Sequence, residues 1–322
     1  MKTLSTKSNY LAIDKKYSSY ENSKIVIYSA PMENTVSYGS GTKNGPKEIL
    51  KASHYVEFYD EEMDKELCFE KGIATLPISN FDKLKSKNAI DKIEKDISKL
   101  IVDDKFVVML GGEHTVTLGA VLAHHKKYEN LSILQFDAHS DLRESYEGSI
   151  YSHASVMSRV YEFNKNIVQV GIRAQCKAEG DLIKKDKIKT FYAREIRQAE
   201  SQKKWQNEVV KSLSNNVYIT FDIDGLDPSI VPSTGTPEPG GLFWDETLDL
   251  IKLVGKKKNI VGFDLVELAP SKFHTSSNFV AAKLVYKMLN YAFQKWNNWC
   301  YYLIKFKCLN IELNFSKILS IF

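Results

Sequence analysis

The chain has 322 residues, of which 43% are hydrophobic and 26% are charged, and its formal net charge at pH 7 is +4. These values are ordinary for a globular enzyme of one large domain or two small ones. The small net charge, carried by scattered lysines, argues against nucleic-acid binding. No uncharged apolar run approaches the roughly 20 residues of a membrane-spanning helix, so no membrane partner is expected.

The cysteines and the N-terminus predict the compartment. The four cysteines show no C-x-x-C spacing, which favours a reduced intracellular environment. The first residues lack the apolar core of a signal peptide. We therefore expect a cytoplasmic protein.

Short apolar runs rich in β-branched residues alternate with helical patterns along the chain. The runs predicted as strands are residues 24–28, 106–110, 131–136, 167–171, 217–221 and 260–263. The predicted helices are residues 46–53, 88–102, 115–125, 205–213 and 245–254. This alternation predicts an α/β fold, in which a mostly parallel sheet carries helices on both faces.

The C-terminal segment differs from the rest of the chain. No internal repeat or low-complexity linker occurs before about residue 295, so residues 1–294 are predicted to form a single domain. Residues 295–322 are rich in aromatics, Lys, Asn and Ile without a clear period. This extension is a packed strand or helix, a poorly ordered appendage, or an artefact of cloning or reading frame.

Three short motifs, rich in acidic residues and histidine, follow three of the predicted strands. They are Gly111-Gly112-Glu113-His114, Asp137-Ala138-His139-Ser140-Asp141 and Asp222-Ile223-Asp224-Gly225-Leu226-Asp227-Pro228. In sheets of this kind, ligands bind at the carboxyl ends of the strands, where all three motifs fall. So many carboxylates in one pocket require cations to neutralise them.

Candidate ligands recur at every second residue in two of the motifs: Asp137, His139 and Asp141, then Asp222 and Asp224. In an extended segment, residues with this spacing share one face. The set favours two divalent ions bridged by carboxylates, each taking one histidine. Oxygen-rich coordination with one imidazole per ion favours Mn²⁺ over Zn²⁺. A single such residue at a strand end is usually a cap or a satisfied polar group, but three equivalent clusters favour metal binding.

The motifs resemble those of the arginase/agmatinase ureohydrolases. Further elements of the resemblance are residues 41–46, 52–53, 152–157 and 263–267, and it covers roughly residues 20–292. The resemblance implies a three-layer αβα sandwich of the arginase/deacetylase type and two Mn²⁺ per subunit. It also implies cleavage of a guanidino group to urea and an amine, and a homotrimer or homohexamer.

The resemblance also assigns metal ligands by position. One ion would take His114, Asp137, Asp141 and Asp222. The other would take Asp137, His139, Asp222 and Asp224, so that Asp137 and Asp222 bridge the pair. Glu113 stands where many members of the family have Asp, and it is not expected to be a ligand.

Three residues are candidates for catalysis. Water attacks a resonance-stabilised guanidinium carbon slowly, and paired metal ions assist by lowering the pKa of a bound water. Asp141 is the candidate for protonating the departing amine. The resemblance favours His153 as a proton shuttle or substrate contact over a plain surface-loop histidine. It likewise favours Glu267 as the partner of the guanidinium over an ordinary glutamate at a strand end.

The loop of residues 142–153 bears on the substrate. It lacks the Asn and Thr expected around an α-carboxylate, and it carries Glu144 and Glu147. Two glutamates suit the distal ammonium of agmatine, although both can simply face water. We therefore predict hydrolysis of agmatine to putrescine and urea. Aminopropylagmatine, arginine and guanidinobutyrate remain alternative substrates, and a non-catalytic relative of the same fold is the remaining alternative.

The other histidines match no ligand pattern and are predicted to be structural: His54, His124, His125 and His274. His124 and His125 end a predicted helix, where cationic side chains interact favourably with the helix dipole.

Overall fold

The computed structural model describes residues 1–198 and 202–294. The predicted extension, residues 295–322, lies outside the described residues, and the division of the chain at residue 294 stays a prediction. Within the described ranges, every helix is too short or too polar to cross a lipid bilayer.

An eight-stranded sheet runs through the middle of the fold, and all of its paired strands are parallel. The strands are β1 Ile25–Ala30, β2 Ile73–Thr75, β3 Phe106–Gly111, β4 Leu131–Phe136, β5 Ile167–Ile172, β6 Lys189–Tyr192, β7 Asn216–Asp222 and β8 Asn259–Val266. Their order across the sheet is β2-β1-β3-β8-β7-β4-β5-β6. The parallel sheet predicted from the apolar runs is confirmed.

The two edge strands were not predicted. β2 has three residues and β6 has four, and β6 begins with the exposed Lys189. Three or four residues are too few to be recognised as a run, although all three residues of β2 are buried. The six strands between them are the six that the sequence predicted.

Helices cover both faces of this sheet. They are α1 Lys15–Ser18, α2 Gly45–Ser53, α3 Leu67–Lys71, α4 Ser86–Val102, α5 Thr117–Lys127, α6 Val156–Phe163, α7 Lys177–Asp186, α8 Ala193–Gln198, α9 Gln202–Ser212, α10 Trp244–Lys257 and α11 Ser276–Ala292. Helices α4 to α7 pack on one face, and α2, α3 and α8 to α11 pack on the other. The three-layer αβα sandwich is confirmed.

Alternate residues of each strand feed two separate cores. In β1, Ile25 and Ile27 contribute to one core, whereas Val26 and Tyr28 contribute to the other. This is the period of two expected for a strand buried on both faces. Each fully buried aliphatic side chain stabilises the fold by about 1.5–3 kcal/mol, so the two cores hold the sheet rigidly between its helices.

The centre of the sheet places four strand ends side by side. Strands β3, β8, β7 and β4 are consecutive neighbours in the order of the sheet. The three acidic motifs follow β3, β4 and β7, and Glu267 follows β8. Residues far apart in the chain therefore meet at one edge.

Candidate metal centre and substrate cleft

The first histidine of the predicted centre faces three carboxylates. His114 opens a short 3₁₀ helix directly after β3 and is fully buried. Its Nδ1 lies 3.1 Å from Oδ2 of Asp137, 2.9 Å from Oδ2 of Asp141 and 3.4 Å from Oδ2 of Asp222. All three aspartates are buried. The ligand atoms of His114, Asp137 and Asp141 lie close enough together to hold one ion.

A second group of ligands adjoins the first. The Nδ1 of His139 lies 3.0 Å from Oδ2 of Asp224 and 3.6 Å from Oδ1 of Asp137. These three residues also lie close enough together to hold an ion. Because Asp137 offers Oδ2 to the first group and Oδ1 to the second, its carboxylate lies in a bridging position. The structure thus brings all six sequence-predicted ligands together, and Asp222 joins them through its contact with His114.

The local backbone differs from the extended segments that the spacing suggested. Asp141 has a φ of +53°, in the left-handed region, and Asp224 lies in the 3₁₀ helix Ile223–Gly225. The ligand side chains converge because of these turns, and not because they share one face of a strand. A Cβ on Gly225 would lie 2.9 Å from the backbone nitrogen of Asp137, so glycine allows the loop after β7 to approach the end of β4.

Hydrogen bonds behind His114 determine which ring nitrogen carries the proton. Asp264 accepts hydrogen bonds from the Tyr218 hydroxyl at 2.8 Å and from the Thr220 hydroxyl at 2.8 Å. Since the Thr220 proton is directed to Asp264, the Thr220 oxygen accepts the Nε2–H of His114, 2.9 Å away. In the neutral ring, the Nδ1 of His114 then holds a lone pair, and it has no hydrogen-bond partner among the described residues. Burial works against a charge on His114, but Asp137 and Asp141 raise its pKa, so the neutral ring requires a cation that replaces the Nδ1 proton.

A lone pair facing three carboxylates is the arrangement that a metal cation satisfies. Metal-binding histidines commonly donate their second N–H to an oxygen, as His114 does to Thr220. Without a cation, two carboxyls of the cluster resist ionisation. Burial raises the pKa of Asp222 well above its usual range, and Asp224 and Asp137 raise it further. Burial and the Asp137 carboxylate raise the pKa of Asp141 to about 7. The donor set therefore fits divalent metal ions.

Glu267 reaches the same cleft from β8. Its Oε1 accepts a hydrogen bond of 2.6 Å from the backbone nitrogen of His114, and its φ is +63°. Burial raises the pKa of Glu267 well above its usual range, and the Glu113 carboxylate adds to the effect. The cleft that Glu267 lines also contains His139, Asp141, Asp222 and Asp224. A carboxylate in this position can pair with a guanidinium beside the metal centre.

His153 forms part of the wall of the cleft. Its Nδ1 lies 3.1 Å from Oγ1 of Thr35, and its Nε2 lies 2.8 Å from Oγ of Ser37. Burial lowers the pKa of His153 to about 4, so its imidazole is neutral at pH 7. Its ring also meets the Tyr146 ring edge-on at 5.4 Å. A neutral imidazole held in place beside the metal ligands can accept or relay a proton.

Glu113 orients the segment that contacts His153. Its Oε2 accepts hydrogen bonds of 2.6 Å from the backbone nitrogens of Asn34 and Thr35, and its Oε1 accepts the Thr35 hydroxyl at 2.9 Å. The glutamate is directed away from the metal centre, as expected for a residue that is not a ligand. Sequence reasoning missed Thr35 and Ser37, because no motif links them to a histidine more than a hundred residues later.

The structure does not bring the two predicted substrate glutamates to the cleft. Glu144 and Glu147 are exposed, and neither lines the cleft or the cavity next to it. In this loop, Arg143 and Tyr146 face the cavity, whereas the two glutamates face solvent. The cavity contains instead Glu238, which sequence reasoning missed. The only signal was its place in the turn-rich segment of residues 235–241.

The remaining histidines lie away from the metal centre. The structure corrects the expectation for one of them. His124 is fully buried, and its Nδ1 lies 2.8 Å from the carbonyl oxygen of Ala120. Burial lowers the pKa of His124 to about 4, so it is a neutral core residue rather than a cation at a helix end. The expectation that His124 interacts with the helix dipole as a charge is therefore wrong.

Known proteins are similar to this chain in fold and in sequence. A sequence model of the Arginase family matches residues 23–290. The N(1)-aminopropylagmatine ureohydrolase of Synechocystis sp. is 39% identical over 279 residues, which cover 85% of this chain and 90% of that protein. The agmatinase of Bacillus cereus is 39% identical over 284 residues, which cover 85% and 94%. The crystal structure of the agmatine ureohydrolase of Thermoplasma volcanium matches with a TM-score of 0.77 and 30% identity, over 97% of each chain. The chain therefore belongs to the arginase family, whose members are metal-dependent hydrolases of guanidino compounds, and it is a ureohydrolase.

Proposed function

We propose that this ureohydrolase converts agmatine and water to putrescine and urea with two Mn²⁺ per subunit. His114, Asp137, Asp141 and Asp222 would hold one ion, and Asp137, His139, Asp222 and Asp224 the other. The observation that carries this proposal is the position of the His114 Nδ1, which faces three buried carboxylates. The agmatinase of Bacillus cereus, 39% identical, supports the substrate.

The chemistry is a hydrolysis at the guanidinium carbon. Divalent ions held by these ligands would assist this hydrolysis by lowering the pKa of a bound water. Glu267 pairs with the planar guanidinium and orients its carbon, which lowers the entropic part of the barrier. When the tetrahedral intermediate collapses, the bond between this carbon and the chain nitrogen breaks. Asp141 or His153 delivers the proton that this nitrogen needs to leave as an amine.

Aminopropylagmatine is the second candidate substrate. The aminopropylagmatine ureohydrolase of Synechocystis sp. is as similar to this chain, at 39% identity, as the agmatinase is. Both compounds carry a guanidinium at one end and a cationic amine beyond it, so the same cleft chemistry applies to both. Arginine and 4-guanidinobutyrate differ because they carry a carboxylate at the far end.

Urea release tests the proposal directly. The Mn²⁺-loaded protein is assayed with agmatine, aminopropylagmatine, arginine and 4-guanidinobutyrate, and kcat/KM is compared. We expect the highest value for agmatine. A higher value for aminopropylagmatine would establish the second candidate, and one for arginine or guanidinobutyrate would refute both. Two Mn²⁺ per subunit should be found by elemental analysis, and light scattering should show the proposed homotrimer or homohexamer.

Glu267→Gln tests the guanidinium partner separately from the metal centre. We expect kcat/KM to fall by about 100-fold or more because a charge-assisted pair is lost, while two Mn²⁺ remain bound. Glu147→Gln makes the same chemical change at an exposed position and should leave both values unchanged. Unchanged turnover in Glu267→Gln would show that this carboxylate does not orient the substrate.

A further inference from the structure

A second cavity continues from the metal cleft. Its volume is about 310 Å³, and it shares five lining residues with the cleft: Ser37, His139, Asp141, His153 and Thr236. A substrate whose guanidinium lies beside the metal ligands would extend its other end into this space. We call the residues that line this cavity but not the cleft its far wall. Their side chains therefore determine which substrate tails can bind.

Two charged residues of this far wall are already engaged with the protein. Glu179 is buried, and its carboxylate accepts hydrogen bonds from the backbone nitrogens of Leu142 at 2.9 Å and Cys176 at 2.6 Å. Arg143 lies 3.9 Å from this carboxylate, and its guanidinium lies over the Tyr146 ring, 5.4 Å from the centroid. Neither residue offers a charge that lacks a partner.

Glu238 differs from them in how its carboxylate is neutralised, because the Arg173 guanidinium interacts with it only electrostatically, without a direct contact. Among residues 1–198 and 202–294, none donates a hydrogen bond to its side chain or forms an ion pair with it. The side chain is partly buried and lines the cavity. It is therefore the acceptor that the far wall offers to a ligand.

The backbone around Glu238 is fixed from two sides. The carbonyl oxygen of Glu238 accepts hydrogen bonds from Nε of Arg173 at 3.2 Å and from Nη2 of Arg173 at 2.7 Å. Arg173 also donates to the carbonyl oxygen of Asp224 at 2.7 Å, which ties this loop to the metal-ligand loop. On the other side, Oδ2 of Asp227 accepts hydrogen bonds from the backbone nitrogens of Gly240 at 3.0 Å and Gly241 at 2.9 Å. Such pre-organisation reduces the entropic cost of binding.

We propose that Glu238 binds the distal cationic amine of the substrate and thereby selects cationic tails over neutral or anionic ones. The inference rests on the proposed function and names its specificity-determining residue. A carboxylate accepts a charge-assisted hydrogen bond from an ammonium, and it repels a second carboxylate. It takes the role that the sequence assigned to Glu144 and Glu147.

Three guanidines of similar length test this inference: agmatine, butylguanidine and 4-guanidinobutyrate, whose tails end in an ammonium, a methyl group and a carboxylate. In Glu238→Gln we expect KM for agmatine to rise about 10- to 100-fold with kcat within about threefold. KM for butylguanidine should stay unchanged, and KM for guanidinobutyrate should fall because a repulsion is removed. Unchanged butylguanidine hydrolysis also shows that the variant is folded.

A charge reversal and a control complete the experiment. Glu238→Lys should prefer guanidinobutyrate to agmatine, whereas Glu147→Gln should behave as the wild type with all three compounds. An unchanged KM for agmatine in Glu238→Gln, or equal changes for the three tails, would overturn the inference and leave the proposed function standing. Absence of urea from every guanidine with the wild type would overturn both.

Discussion

Two clusters of carboxylates in this molecule differ in what neutralises them. At the carboxyl edge of the sheet, three aspartates of the candidate metal centre surround the Nδ1 of His114. On the face covered by α11, the buried Lys287 lies 3.1 Å from Oδ2 of Asp60 and 2.9 Å from Oε1 of Glu62. The second cluster contains a permanent cation, whereas the first contains only two imidazoles, which must be neutral to bind metal ions.

The difference distinguishes a structural cluster from a binding site. The second cluster is satisfied internally: Glu62 also accepts the Tyr291 hydroxyl at 3.0 Å and pairs with Lys252 at 2.8 Å. Burial works against ionisation of Glu62, yet Lys252, Lys287 and Tyr291 lower its pKa to about 2. In the first cluster burial and neighbouring carboxylates raise the pKa of Asp141 and Asp222. A cluster of carboxylates whose negative charge the protein itself does not balance indicates a binding site for metal cations.

Asp137→Asn should give the largest effect, because it removes the carboxylate between the two groups of ligands. We expect urea release to fall by about 1,000-fold or more and the bound metal to fall below two ions per subunit. Activity and elemental analysis measure both. The same change at the exposed Asp91, which pairs with Lys87, should alter neither value. If Asp137→Asn kept two metal ions per subunit, the proposed difference between the two clusters, metal site and internal ion pair, would be wrong.

Lys287→Met should affect stability instead of catalysis. Removing the cation leaves Asp60 and Glu62 without their buried partner, so the free energy of unfolding should fall by about 3–5 kcal/mol. Denaturant titration measures this change. Lys87→Met, at an exposed ion pair, should cost no more than about 0.5 kcal/mol. The folded Lys287→Met protein should keep its metal ions, and their loss would mean that the two clusters are not independent.

His124 provides a buried imidazole with no carboxylate partner. Folding lowers its pKa from an ordinary 6.5 to about 4 because the site is dry. As the pH falls from about 6.5 to 4, the unfolded chain binds a proton that the folded chain does not, so stability decreases. The contribution of His124 to this loss is about 3 kcal/mol. His124→Leu should therefore lose that much less stability over this range, whereas His274→Leu, at an exposed position, should follow the wild type.

Thr220→Val should give the smallest effect, on metal affinity alone. It removes the oxygen that accepts the Nε2–H of His114, so the ring is no longer held with its lone pair toward the carboxylates. The Kd for Mn²⁺, measured by calorimetry, should rise about 10- to 100-fold, and kcat at saturating Mn²⁺ should change little. Thr247→Val changes a buried threonine on α10 and should leave the Kd as it is. Equal Kd values would show that Thr220 does not orient His114.

Sequence reasoning reached the sheet and the metal ligands but not the walls of the cleft. Six apolar runs identified the six inner strands, and acidic residues after three of them identified the candidate ligands. The partners of His153 and the carboxylate of Glu238 carry no such signal. Thr35 contacts His153 across more than a hundred residues, and Arg173 fixes Glu238 through a backbone carbonyl that any residue has. Contacts of this kind depend on which loops meet, and a linear pattern does not record that.

The sequence by itself determined the layered α/β fold and the chemistry gathered at one edge of the sheet. Hydrophobic periodicity specifies strands and helices locally, and parallel strands place their carboxyl ends together. Only the tertiary structure decided that Glu144 and Glu147 face solvent while Glu238 faces the cavity, and that His114 turns Nδ1 toward the aspartates. The physical reason is that loop direction and proton position depend on long-range hydrogen bonds, here those of Arg173, Asp227, Thr220 and Asp264.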